Sequence, residues 1–179
     1  MKATGIVRRI DDLGRVVIPK EIRRTMRIRE GDPLEIYTSR DGEVIFKKYS
    51  LLGGVEDFAG QLCETMSRST GSICAVTDRD TVIAVAGGGK RELMGKRITP
   101  ELERIMESRK IYQFTGEGQP LQVCDGAEKL TATVAAPILS EGDLLGLVLF
   151  VGDGGAVTGD TEYKLAQTIA AFLGRHMEG

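Results

Sequence analysis

The side chains with the greatest chemical reach in this 179-residue chain are arginines, and they crowd one end of it. The stretch DDLGRVVIPKEIRRTMRIREGD, residues 11–32, runs from an apolar Val16-Val17-Ile18 segment into a proline and then into closely spaced cations. Residues 1–29 hold 9 Lys and Arg against 3 Asp and Glu, so local acids are too few to neutralise most of them. An arginine presents a planar fork that grips two oxygens of one phosphate, or the paired acceptors of a guanine edge. Arg8, Arg9, Arg15, Arg23, Arg24, Arg27 and Arg29 are therefore read as one face available to a polyanion. The competing reading pairs them with Asp11, Asp12, Glu21 and Glu30, the fate of most surface charge runs.

Other reactive side chains point to no bond-making chemistry. Three cysteines, Cys63, Cys74 and Cys124, show no CxxC spacing, and with the single histidine, His176, they make no familiar zinc set. Cys63 falls on an apolar helical stripe and Cys74 inside a strand, where thiols act as small hydrophobes. Cys124 is the one candidate for a reactive thiol, although Asp125 beside it raises rather than lowers its pKa. His176 is read as solvated on the polar side of a helix. AGGGKREL, residues 86–93, invites a phosphate-loop reading, but Arg91 stands where that motif needs Ser or Thr, so a loop is expected. No catalytic residue, metal or cofactor is expected.

The elements that position the arginines belong to a short first module. Residues 1–50 hold 12 basic against 8 acidic side chains, and residues 51–179 hold 12 against 18, so a basic part precedes an acidic one. TGIVRRI and RVVIP read as strands about a DDLG turn, PKEIRRTM as a short helix with Pro19 at its first position, and PLEIYTSRDGEVIFKKY as a hairpin turning at Asp-Gly. Four strands and one helix in about 50 residues leave too little core for a stable monomer, and self-association is the ordinary remedy.

ATGIVRRIDDLGRVVIPKEIRRTMRIREGDPLEIYTSRDGEVIFKKY resembles the swapped-hairpin DNA-binding domain of the AbrB family of transition-state regulators. That resemblance implies an interleaved dimer on double-stranded DNA. It places the DNA contacts on Arg8, Arg15, Arg23 and Arg24, with Lys2, Arg9 and Lys20 as weaker candidates.

LLGGV, residues 51–55, reads as a boundary, and Val55, Phe58, Ala59, Leu62, Cys63 and Met66 as the stripe of a helix that packs on its own domain or pairs with its copy. SICAVTDRDTVIAVAGG reads as two strands joined at Asp78–Asp80, TPELERIMESRK as a helix capped by Thr99, and YQFTG and LQVCDG as short strands. TATVAAPILSEGDLLGLVLFVGD reads as a hairpin, and the last segment as a helix with Leu165, Ile169, Phe172, Leu173 and Met177 on one face. The class is α+β, organised as residues 1–52, a linker helix 53–70 and a domain 71–179.

That last domain is similar to a GAF domain, which implies a small molecule under the Gly87–Gly95 loop, with Ser72, Thr77, Gly88, Gly89 and Thr133 as its lining. Some GAF-like domains reduce methionine sulfoxide with cysteines, and for that alternative folding would bring Cys74 and Cys124 together. An antitoxin is a second alternative, although residues 56–179 carry a core's worth of apolar strands. An AbrB-type head followed by a GAF-like domain is similar to a family of sporulation regulators. This implies a tetramer in the forespore that activates some late genes and represses others. Without a long apolar run or a signal-like N-terminus, a soluble, cytoplasmic, nucleoid-associated protein is expected.

Overall fold

Pro19 lacks an N–H and holds φ at −57°, so it closes the extended run before it and opens a helix. Helix α1 spans Lys20–Met26, with Pro19 at the N-cap, one position earlier than expected. The computed structural model describes residues 5–178. The chain divides into two units, Met1–Tyr49 and Ser50–Gly179.

In the first unit α1 ends on Arg27, in left-handed conformation at φ 52°, while Ile28 N–H donates to the Arg23 carbonyl at 2.8 Å. Strands β1 (Leu34–Thr38) and β2 (Val44–Lys48) pair antiparallel, turning at Asp41-Gly42 with Gly42 at φ 83°. The two strands expected over residues 4–10 and 15–19 form no ladder among the described residues, and β1 and β2 pair only with each other there. The segments meet at their tip alone, where Asp11 N–H donates to the Arg15 carbonyl at 3.0 Å. Pro19 is the one buried residue described before Ser50. Val7, Ile10, Val17 and Ile36 are 90%, 69%, 68% and 61% exposed, so these strands have residues to bury and no surface of their own chain to bury them on.

The second unit is built on a six-stranded antiparallel sheet. In chain order it runs α2 (Glu56–Thr70), β3 (Ile73–Thr77), β4 (Val82–Ala86), α3 (Lys90–Leu93), α4 (Pro100–Glu107), β5 (Tyr112–Gln113), β6 (Leu121–Gln122), β7 (Leu130–Ser140), β8 (Asp143–Asp153) and α5 (Asp160–His176). The strand order is β4-β3-β8-β7-β5, with β6 also on β7. Alternation along the strands divides the core in two. Cys74, Val76, Val148 and Phe150 face α2 and α5, through Ala59, Cys63, Met66, Ala166, Ala170 and Leu173. Ala75, Leu147 and Leu149 face the other way, onto Leu93, Ile98, Leu102 and Met106.

Local rules hold well here. Thr99 caps α4, its hydroxyl accepting Leu102 N–H at 3.2 Å, with Pro100 at the first helical position. Asp78 Oδ1 accepts the N–H groups of Asp80 and Thr81 at 2.8 and 2.7 Å and so closes the β3–β4 turn. LLGGV is anchored rather than loose, because Leu52 is 1% exposed in the α2 side of the core. The face of α5 differs from expectation: Ala166, Ala170, Leu173 and Gly174 are its buried residues, and Phe172 stays 48% exposed. Gly174 allows this, since a Cβ there would collide with the Leu139 carbonyl of β7.

Candidate nucleic-acid interface

Helical spacing sets out the cations of α1. At 3.6 residues per turn, Lys20, Arg23, Arg24 and Arg27 fall within an arc of about 100°, and Ile22 and Met26 lie on the opposite side. The apolar side belongs to a groove of about 460 Å³ shared with Ile6, Val16, Val17, Ile18, Ile28, Val44 and Phe46. Arg8 lies at the same groove.

Arg8, Arg9, Arg15, Lys20, Arg23 and Arg24 are all exposed. Lys2 lies outside the described residues. Among these, two are oriented by the chain itself. Arg23 Nε–H donates to the Ile18 carbonyl at 3.1 Å, which holds the guanidinium against the end of the extended segment. Arg15 Nε–H donates to Asp11 Oδ2 at 2.8 Å. Backbone N–H of Arg15, its guanidinium and Leu13 N–H, in that order of weight, hold the Asp11 carboxyl below the usual carboxylate range.

Arg27 and Arg29 depart from the expectation that every arginine stays available. Both are half-buried and engaged at the C-terminal end of α1. There Lys48 Nζ donates to the Arg27 carbonyl at 2.8 Å and stands 3.9 Å from Asp32, whose Oδ2 accepts Arg29 N–H at 2.8 Å. Asp32 lies three residues beyond Arg29, a local contact that the spacing already offers, whereas Lys48 reaches the Arg27 carbonyl from 21 residues away, beyond any spacing rule.

The expected ligand lining of the second unit does not converge. Ser72 precedes β3 and Thr77 ends it, which puts them about 17 Å apart at roughly 3.3 Å per residue. Thr133 sits at a bulge of β7 against Gly152. Thr77 and Thr133 are 0% and 1% exposed, with hydroxyls that find no partner among the described residues. Gly87, Gly88 and Gly89, all at positive φ, form a tight turn rather than a cover, and a Cβ on Gly87 would meet Ser67 and the Ser72 carbonyl. Of the five expected residues, only Gly89 borders the nearby groove of about 470 Å³, with Glu92, Glu128, Lys129, Leu130 and Asp153.

Cys74 and Cys124 lie in the two different halves of the core, on opposite faces of the sheet. Burial pushes the Cys63 and Cys74 thiols up to about 12 and Cys124 up to about 11, the last with help from Asp125 and against Lys96. His176 is not simply solvated: its ring lies 4.7 Å from Phe58 of α2 and 6.3 Å from Phe172. Sequence reasoning missed this cluster because its members come from helices more than 100 residues apart in the chain.

The family model described as stage V sporulation protein T C-terminal, transcription factor, matches residues 54–178. A second, antidote-toxin recognition MazE, bacterial antitoxin, matches residues 7–50. The chain is 48% identical to stage V sporulation protein T of Bacillus subtilis (strain 168) over 180 residues, covering 99% of each. It is 63% identical to the transition state regulatory protein AbrB of the same organism over 49 residues, 27% of this chain and 50% of that protein. The GAF domain of a phosphoenolpyruvate-protein phosphotransferase from Coxiella burnetii superposes with a TM-score of 0.53 at 13% identity, covering 69% of this chain and 82% of that one, which places the second unit in the GAF fold.

Proposed function

The chain belongs to the stage V sporulation protein T family of transcription factors, and from that premise we propose that it acts as a homo-oligomer on promoter DNA through its first unit. It is a regulator of sporulation transcription. The observation that carries the proposal is the pairing of a coreless first unit with a row of exposed arginines. Residues 5–49 bury no apolar side chain except Pro19, so a second copy must supply the missing strands and cover the groove around Val17 and Phe46. Arg8, Arg15, Arg23 and Arg24 of two chains then give eight cations to one duplex. A DNA partner is supported by those exposed cations and by the match to a transcription factor family.

The finer reading is a tetramer in the forespore that activates some late genes and represses others. Exposed Phe172, beside Phe58 and His176 on α2 and α5, supports a second self-association surface. A catalytic role is not proposed, because thiols pushed to about 11 and 12 stay protonated and supply no nucleophile. The antitoxin match covers the head alone, whereas residues beyond it build a two-sided core.

A gel shift of the full chain on promoter fragments at several salt concentrations tests this. With all eight arginines on phosphate, log affinity against log salt falls with a slope near roughly −7, and base contacts reduce it. Arg23→Ala weakens binding with unchanged circular dichroism; wild-type affinity in that variant removes the assigned face.

A further inference from the structure

A carboxylate among cations that face a polyanion repels the very partner they attract, so Asp11 needs a reason to be there. Its contacts supply one. Oδ1 accepts the N–H groups of Leu13 at 3.0 Å and Arg15 at 2.8 Å, and Oδ2 accepts Arg15 Nε–H at 2.8 Å. The backbone closes the same five residues from the other side, with Gly14 N–H donating to the Asp11 carbonyl at 3.1 Å and Gly14 at φ 76°. Arg15 is thus held at its backbone and at Nε, on a side chain 69% exposed. Its two terminal nitrogens make no bond among the described residues.

We propose that Asp11 is a positioning residue of the DNA interface, whose carboxylate locks Arg15 so that its outer fork meets a phosphate or guanine edge already ordered. This rests on the DNA-binding reading above. An unrestrained arginine gives up rotamer freedom on binding, and Asp11 takes that loss in the free protein. The opposing effect is repulsion between Asp11 and the duplex, weakened by salt and by the cation beside it. Removing the carboxylate therefore strengthens binding if repulsion dominates and weakens it if positioning dominates.

The experiment measures affinity of the full chain for one promoter-derived duplex that the wild type shifts, for Asp11→Asn and Asp11→Ala, each alone and with Arg15→Ala. Asn keeps an oxygen for the two backbone N–H groups and loses only the acceptor for Arg15 Nε–H, which separates the loop from the clamp. Asp11→Asn is expected to weaken binding several-fold, up to about tenfold, despite the lost negative charge. With Arg15→Ala it is expected to change affinity less than about twofold, the signature of coupling. The Arg15 Nε–H resonance, held by the carboxylate, is expected to broaden or move in Asp11→Asn. Binding that tightens or stays unchanged in Asp11→Asn, or an equal loss with and without Arg15, overturns the inference. Loss on Arg23→Ala without loss on Arg15→Ala also overturns it while leaving the DNA reading intact; a wild type that shifts no duplex removes both.

Discussion

Val17 and Phe150 are both apolar side chains on extended backbone, yet Val17 is 68% exposed and Phe150 is fully buried. The contrast extends to their units. Beyond Leu52 the chain folds its apolar residues onto two faces of one sheet, under helices that belong to the same unit. Before Tyr49 it forms one hairpin, one short helix and two extended segments that, among the described residues, form no ladder and meet only at their tip. A unit of the first kind carries its stability within itself, and one of the second kind draws stability from association, so its folding depends on protein concentration. Coupling DNA recognition to the unit that cannot stand alone makes assembly a precondition of binding.

The sharpest way to break that comparison is Val17→Asp. In a lone chain this exposed position accepts a charge at little cost, whereas in the proposed dimer it buries an unpaired carboxylate, which costs several kcal/mol. DNA affinity is expected to fall by more than about 100-fold, with light scattering showing a smaller species. Unchanged mass and affinity would return residues 5–19 to the solvent.

Phe150→Ala attacks the other unit. Removing a fully buried phenylalanine from a packed core costs about 3–5 kcal/mol, and the loss is expected in the thermal transition of the second unit. Because that core is internal, its midpoint is expected to move less with protein concentration than the transition of the first unit, even where Phe172 adds a contact between copies. Calorimetry across a tenfold dilution series reads both; a second-unit midpoint that follows dilution as steeply as the first would make the two units alike.

A third test uses pH. All three cysteines lie in the second unit, with thiols raised from 9.0 to about 12, 12 and 11. Below about pH 9 folded and unfolded states are equally protonated at these thiols. Above it the unfolded chain releases protons that the folded one keeps, so stability falls as pH rises from 9 toward 12. Substituting Cys63 and Cys74 with Ala is expected to flatten that alkaline decline in the second-unit transition. An unchanged slope would show that the thiols are not held protonated.

What could be read in advance follows the same division. The α4 cap at Thr99-Pro100, the β7–β8 hairpin and the turn at Asp78 rest on neighbours a few residues apart, and the expectation and the structure agree. Charge counting singles out Arg8, Arg15, Arg23 and Arg24, which are exposed, for the same reason. It cannot separate Arg27, whose carbonyl meets Lys48 through the fold, and it passes over the contact of Arg29 with Asp32 three residues on. Grouping Ser72, Thr77 and Thr133 by side-chain type overlooks strand length, which sets Ser72 and Thr77 about 17 Å apart at the two ends of β3. Residues 5–19 have the pattern of strands without a ladder, because pattern records what a segment will bury and not which chain supplies the partner.

The smallest expected effect comes from the matched control, Val157→Asp. Val157 is 55% exposed, much like Val17, but it precedes α5 in the unit that completes its own core. A carboxylate there meets water on most sides and lies within one turn of the N-terminal end of α5, where the helix dipole favours negative charge by a few tenths of a kcal/mol. Stability is expected to stay within about 0.5 kcal/mol of wild type, the range of ordinary surface changes, and DNA affinity to stay unchanged. The two valines thus differ in outcome by orders of magnitude from nearly equal exposure. A large loss at Val157, by light scattering or gel shift, would mean that this surface is also covered in the assembly, and exposure in one chain would then no longer distinguish the two units.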